Sequence, residues 1–98
     1  MRISTSTDRL AQIHGEENAI RYLAEIGYVC YDFSMFGIGD KSHPLHGKDY
    51  ESYVKKLRRT AEESGIVCNQ THAPFPSYLS DKEEYNRRIF PLLVRAIE

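Results

Sequence analysis

The 98 residues suffice for one domain, and a composition of 41% hydrophobic and 28% charged residues excludes a disordered or disulfide-scaffold protein. Thirteen basic and fourteen acidic residues give a formal net charge of −1, which excludes a global positive field that would attract nucleic acid or an anionic membrane. The sequence contains no membrane span of roughly 20 apolar residues and no signal-peptide core, so we expect a cytoplasmic protein with reduced cysteines.

The pattern of apolar residues predicts strands and helices in alternation. β-branched runs without breakers predict strands, and apolar residues at steps of three and four predict helices. The chain contains, in order, a strand at 2–7, a polar loop, a helix at 16–26, a strand at 28–34, a loop at 35–48, a helix at 50–64, a strand at 66–72 and a helix opened by a capping box of Ser80 and Glu83. Gly27 and Gly65 are expected to end the first two helices, and Pro91 to kink or restart the last one.

A unit of fixed length recurs along the chain. Segment 24–30 resembles segment 62–68, and their cysteines, Cys30 and Cys68, are 38 residues apart. Alternation of strands and helices implies parallel strands, so the predicted fold class is α/β. The unit fits three consecutive β/α units of a TIM (β/α)8 barrel, with residues 1–98 as a single partial, amino-terminal domain and Glu98 inside an unfinished unit. A flavodoxin-like open sheet is the alternative.

Polar residues near the strand ends are the candidate binding residues, because reactive groups of β/α proteins gather at the carboxyl ends of the strands. Since side chains alternate along a strand, the sequence predicts two polar faces, one carrying Cys30, Asp32 and Ser34 and the other carrying Cys68, Gln70 and His72. We expect Asp32, His72 and Ser6 to face a substrate.

The sequence leaves the roles of two of these residues open. A neutral imidazole at His72 can ligate a metal, bond a sugar hydroxyl or relay a proton, or it can be bonded within the loop that Pro74 makes rigid. Asp32 can accept hydrogen bonds from substrate hydroxyls, act as a carboxylate ligand, or satisfy backbone donors at the strand end.

Other polar and reactive residues have simpler interpretations. His43 and His46 are interpreted as flexible loop residues, and Cys30 and Cys68 as small core residues. The basic clusters at 55–59 and 87–88 lie among acidic residues, which is typical of solvated helix faces.

Two runs of sequence resemble the xylose isomerase-like barrel enzymes. These are 27–34 and, about one repeat later, 65–75, in which His72-Ala73-Pro74 is similar to the His-Ala-Pro that commonly ends the third strand in that family. Asp32 stands where the family usually has a glutamate. The resemblance covers almost the whole chain and implies the amino-terminal portion of a sugar or sugar-phosphate isomerase or epimerase of carbohydrate metabolism.

The resemblance also implies a divalent metal, commonly manganese, magnesium, zinc or cobalt, that polarises the carbonyl and hydroxyl pair of a sugar. In that family the principal metal ligands lie on strands five to eight, so we expect no metal and no catalytic residue in this segment, His72 being at most an accessory ligand. The isolated chain is therefore expected to be inactive.

Two other functions compete with this interpretation. The family 2 apurinic endonucleases share the fold, but they need a basic surface, so nucleic acid is a less favoured partner than a small sugar. A non-catalytic α/β fragment that forms a homo-oligomer through its exposed strand edges is the other alternative.

Overall fold

A three-stranded parallel sheet with helices between its strands forms the fold in the computed structural model, which describes residues 3–98. The strands are β1 (Ser4–Ser6), β2 (Cys30–Ser34) and β3 (Val67–His72), and the helices are α1 (Asp8–His14), α2 (Glu16–Ile26), α3 (Tyr50–Ser64) and α4 (Glu83–Ile97). The predicted α/β class and the parallel strands are confirmed. Arg2, which belonged to the predicted first strand, lies outside the described residues.

The strand order distinguishes between the two architectures that the sequence left open. Each strand pairs with its neighbour along the chain, in the order β1-β2-β3. A flavodoxin-like sheet has β1 between β2 and β3, whereas a (β/α)8 barrel adds its strands in sequence. The observed order is therefore the one that consecutive units of a barrel require.

The main hydrophobic core lies between one face of the sheet and the helices α2 and α3. Its buried members are Ile20, Leu23, Tyr31, Leu57, Ala61 and Ile66. Both helices end at a glycine in the left-handed conformation, Gly27 with φ of 107° and Gly65 with φ of 70°, as the sequence predicted. These glycines stop each helix two or three residues before the next strand begins, so the chain turns back and the helices lie against the sheet.

A second, smaller core lies beyond the end of β2. Met35, Ile38 and Leu45 are buried there, and Leu92 and Ala96 of α4 pack against them. The two short 3-10 turns at Phe36–Gly39 and Pro44–His46 build this part of the loop between β2 and α3.

The predicted polar loop after the first strand is wrong, because α1 occupies most of it. Thr7 lies between β1 and α1, is fully buried, and donates its backbone N–H to the carbonyl of Asp32 at 3.0 Å. The seven residues of α1 contain no buried side chain, which explains why their pattern gave no helical signal.

The prediction for the last helix is wrong at its start. Lys82 occupies the N-cap position and no side chain caps the helix, so Ser80 and Glu83 form no capping box. The helix also runs through Pro91 without restarting, although the proline supplies no backbone N–H there. The low helix propensity of Pro91 is outweighed by the packing of Ile89, Leu92 and Ala96 on the same helix.

An irregularity in β3 changes which residues share a face. Tyr31 pairs with Cys68 but Asp32 pairs with Gln70, so Asn69 is an extra residue in the ladder. Such a β-bulge breaks the alternation of side chains. Cys68 consequently lies opposite Tyr31 on the helix-covered face, which corrects the prediction that it shares a face with Gln70 and His72.

Candidate functional site

The face of the sheet turned away from the helices is polar. Residues paired across parallel strands point to the same side, so the register assigns one set of side chains to this surface, which we call the polar face: Ser4, Ser6, Asp32, Ser34, Gln70 and His72, with Cys30 and Val67 as its apolar members. Asn69 has no register partner and joins this surface through its hydrogen bond with Ser4. Asp32 is partly buried, Cys30 and Ser34 are buried, and the other members are exposed. A sheet face that is covered by helices is apolar, so this surface is built for water or a polar ligand.

Asp32 and His72 form a close pair on the polar face. The Nδ1 atom of His72 lies 2.8 Å from Oδ1 and 2.7 Å from Oδ2 of Asp32. The carboxylate side chain is only 14% exposed, whereas the imidazole is 46% exposed. The partly buried Asp32 carboxylate therefore contacts the Nδ1 side of the imidazole ring, and the Nε2 side of the ring is exposed to solvent.

The hydrogen bonds of His72 determine which of its nitrogens is free. Because the Asp32 carboxylate is a hydrogen-bond acceptor, the Nδ1 atom of His72 carries the proton, and this N–H donates a hydrogen bond to the carboxylate. The Nε2 atom is then the acceptor of the neutral ring, and the side-chain amide of Gln70 lies 3.4 Å from it as a weak donor. A substrate hydroxyl can replace Gln70 at this nitrogen.

The predicted binding residue Ser6 lies on the polar face beside the pair. Its register partner in β2 is Asp32, and its hydroxyl accepts the backbone N–H of Asp8 at 3.2 Å. The structure thus brings Ser6, Asp32 and His72 to one surface, with one strand contributing each. Ser34, by contrast, is buried, and its backbone N–H donates to the hydroxyl of Thr7 at 3.4 Å.

A hydrogen bond at the amino-terminal end of the polar face joins the two outer strands. The hydroxyl of Ser4 donates to the side-chain oxygen of Asn69 at 2.8 Å, across β2. Asn69 is the bulge residue, and the sequence had assigned it to the opposite face. Inter-strand register alone reveals this contact, since the residues are 65 positions apart.

The residues of the polar face do not complete a metal site. No group of three or more His, Cys, Asp or Glu side chains comes together within residues 3–98. Protein sites for catalytic zinc use three protein ligands, whereas Asp32 and His72 offer two, of which the carboxylate already bonds the imidazole. A metal on this surface would need ligands from elsewhere.

Glu16 is a titratable residue that sequence analysis missed. Burial raises its pKa to about 7, while a hydrogen bond from Thr7 opposes the shift and the charge of Asp8 adds to it. The Oε1 atom is buried and has no hydrogen-bond partner among the described residues. No local pattern identifies such a residue, because its burial depends on how α1, α2 and α3 meet.

The two loop histidines hold the second core together. The Nδ1 atom of His43 accepts the backbone N–H of Leu45 at 3.2 Å, and the ring of His46 bonds the carbonyl of Ile38. Burial lowers the pKa of His43, which favours the neutral ring that this bond requires. Both therefore have structural partners that their interpretation as flexible loop residues did not include.

The cysteines and basic clusters can also be placed. Cys30 is buried as predicted, but Cys68 is exposed, which contradicts its assignment to the core. On α3, Lys56 pairs with Glu17 at 2.5 Å and Arg58 with Glu62 at 3.3 Å, as expected of solvated helix faces. No helix in the range 3–98 has the length and apolarity that crossing a bilayer requires.

Comparison of the chain with protein-family models, with curated proteins and with solved structures gives no match. The site must therefore be interpreted from its own geometry.

Proposed function

We propose that the chain forms the first three β/α units of a barrel enzyme that isomerises or epimerises a sugar or sugar phosphate, with Asp32 and His72 contacting substrate hydroxyls. The observation that carries this proposal is the Asp32–His72 pair at 2.7 Å on a polar face that the helices leave open. The pair combines a fixed acceptor, the Asp32 carboxylate, with an imidazole nitrogen that can accept a hydroxyl proton.

The chemistry of the polar face supports a barrel interior. In an open α/β sheet, helices cover both faces, and both faces are then apolar. Here the face with Tyr31 and Phe33 packs on helices, whereas the opposite face carries serine, aspartate, amide and histidine side chains, with Cys30 and Val67 as its only apolar members among the register pairs. Polar groups near the carboxyl ends of inward-facing strands are the usual source of binding residues in barrels.

His72 and Asp32 would have different roles in binding the substrate. Asp32 orients the imidazole and keeps its proton on Nδ1, so that Nε2 is available to a substrate hydroxyl. Ser6 adds a hydroxyl on the neighbouring strand. A divalent metal, when bound in the complete enzyme, would supply Lewis-acid polarisation of the sugar carbonyl, and its ligands would come from further units of the barrel.

The apurinic endonuclease alternative has less support from the charges. Three basic side chains of α3, Lys55, Lys56 and Arg58, pair with carboxylates of the same helix or of α2. Both helices lie on the other side of the sheet from the polar face. Phosphate contacts with a DNA backbone need unpaired lysine and arginine side chains beside the site.

Titration of the ¹⁵N-labelled chain with D-xylose and D-fructose tests the proposal. We expect millimolar binding that shifts the amide signals of the polar face. Asp32→Asn and His72→Ala should each weaken binding about tenfold, because a hydrogen bond to a charged group contributes about 1.5–3 kcal/mol. Asp81→Asn and His14→Ala, at exposed positions outside the polar face, are the matched controls. Equal affinities for all five proteins would contradict the assignment.

A turnover assay separates binding from catalysis. The 98-residue chain with added Mn²⁺ should convert neither sugar, because its described residues do not provide a complete metal site. Conversion of either sugar by the pure chain would show that the catalytic groups lie within it.

A further inference from the structure

Phe36 places an aromatic ring beside the Asp32–His72 pair. The centroids of the Phe36 and His72 rings are 6.0 Å apart, and the ring planes are inclined at 49°. The Phe36 side chain is 46% exposed, although it follows a buried strand and precedes a buried core. One large apolar surface is thus kept in solvent next to the two polar groups of the site.

The backbone at Phe36 is fixed by hydrogen bonds and by buried neighbours. The backbone N–H of Met35 donates to the carbonyl of His72 at 2.9 Å, which ties the turn to the end of β3. The N–H of Phe36 itself lies 3.4 Å from the hydroxyl oxygen of Ser34. Met35 and Ile38, on either side, are buried in the second core. The backbone that carries the Phe36 ring is therefore held by the fold.

A cleft with a volume of about 480 Å³ adjoins the Phe36 ring, and we call it the Phe36 cleft. It is lined by Phe36 and Tyr53 and by the polar residues Asp8, Glu16, Ser34 and His43, and neither Asp32 nor His72 lines it. No lysine or arginine of the described chain lines it. The carboxylate next to the proposed ligand is that of Asp32, and the residues that share its sheet face include no lysine or arginine. A carboxylate without such a cation repels phosphate, so the surroundings favour an uncharged polyol.

We propose that Phe36 is a stacking platform for the C–H face of an unphosphorylated sugar ring, whose hydroxyls bond Asp32 and His72. This inference rests on the proposed function and narrows its substrate class. The face of an aromatic ring carries partial negative charge and attracts weakly positive C–H groups, while burial of the apolar surfaces adds to the affinity. Sites for small polar ligands combine such an apolar wall with a few placed polar groups.

Saturation-transfer NMR on the whole chain tests the platform directly. D-xylose, D-fructose, fructose 6-phosphate and adenosine are the probes. The C–H protons of the two free sugars should receive saturation from the aromatic protons of the chain. Phe36→Ala and Phe36→Leu should both weaken sugar binding roughly three- to tenfold, whereas Phe36→Tyr, which keeps the ring, should bind as the unmodified chain does. Phe90→Ala, at an exposed phenylalanine of α4, is the matched control.

The outcomes separate this inference from the proposed function. If Phe36→Ala and Phe36→Leu bind sugar as Phe90→Ala does, while Asp32→Asn and His72→Ala do not bind, the platform is wrong and the sugar site stands. If fructose 6-phosphate binds more tightly than fructose, the restriction to uncharged sugars is wrong. If the unmodified chain transfers saturation to adenosine but to neither free sugar, both the platform and the proposed function fail.

Discussion

The side chains of this protein owe their chemistry to neighbours that are distant in sequence. Asp32 and His72 are 40 positions apart and meet only because β2 and β3 pair in parallel with a defined register. Glu16 shows the same dependence, since its carboxyl group is buried where α2 meets Thr7 and the tyrosines of β2 and α3. Its pKa of about 7 means that this carboxyl changes charge near neutral pH.

Glu16 should make the stability of the protein depend on pH. Its pKa is about 7 in the folded chain and near 4.5 in the unfolded chain, so between these values the folded chain holds a proton that the unfolded chain has released. The free energy of unfolding from this group is therefore highest below pH 4.5 and falls as the pH rises to 7, by roughly 3 kcal/mol in all.

Urea unfolding at pH 4 and pH 8 measures this contribution. Glu16→Gln cannot ionise, so the variant should gain stability relative to the unmodified chain as the pH rises, by up to roughly 3 kcal/mol. Glu25→Gln, at an exposed position on the same helix, is the control and should leave the pH dependence unchanged. A stability difference between Glu16→Gln and the unmodified chain that is the same at both pH values would refute the assignment.

At the scale of the elements, the glycines that end α2 and α3 determine where β2 and β3 begin. Gly27 and Gly65 have φ of 107° and 70°, and a Cβ atom at either position would meet no atom within 4 Å. Glycine is therefore required at these positions by the backbone conformation, because the left-handed region is unfavourable for residues with a Cβ atom even where space is available.

Gly27→Ala and Gly65→Ala should each lower the free energy of unfolding by about 1–2 kcal/mol. Gly39→Ala is the matched control, because Gly39 lies outside the left-handed region and a Cβ there also meets no atom within 4 Å. Chemical denaturation of the three variants under identical conditions makes the comparison. If Gly39→Ala destabilises the chain as much as the other two, helix termination is not the cause.

At the scale of the whole molecule, the sheet has two edges. β1 and β3 each pair only with β2 among the described residues, and a groove of about 470 Å³ runs between α3 and the helix-covered side of β3. The exposed residues Val54 and Val67 line this groove, and 62% of Val67, at the start of the edge strand β3, is accessible. An open edge next to apolar surface favours association with another chain.

We expect the chain to form homo-oligomers through these edges as its concentration rises. Size-exclusion chromatography with light scattering over a concentration series measures the assembly. Val67→Lys should weaken it at least about tenfold, because an unpaired charge is costly to bury at an edge contact. Val94→Lys, on α4, should have little effect. A monomer at every concentration would contradict the prediction.

Sequence reasoning reached the α/β class, the parallel strands, both helix-ending glycines and the buried Cys30, because each is written in local spacing or in the alternation of elements. It missed α1 and the start of α4. Helix α1 buries no side chain, so its sequence shows no apolar residues at helical spacing. Helix α4 begins after Lys82 without a capping side chain, so no sequence motif marks its start.

The sequence by itself determined which residue types stand near the strand ends, since Asp32, His72 and Ser6 are read directly from the predicted strands. Only the tertiary structure decided which of these meet. The order of the strands, the bulge at Asn69, the contact between Asp32 and His72 and the ring of Phe36 beside them all depend on register between distant segments. Register is set when the apolar face of each strand packs against the helices, and the spacing within one strand does not show which residue of another strand lies opposite.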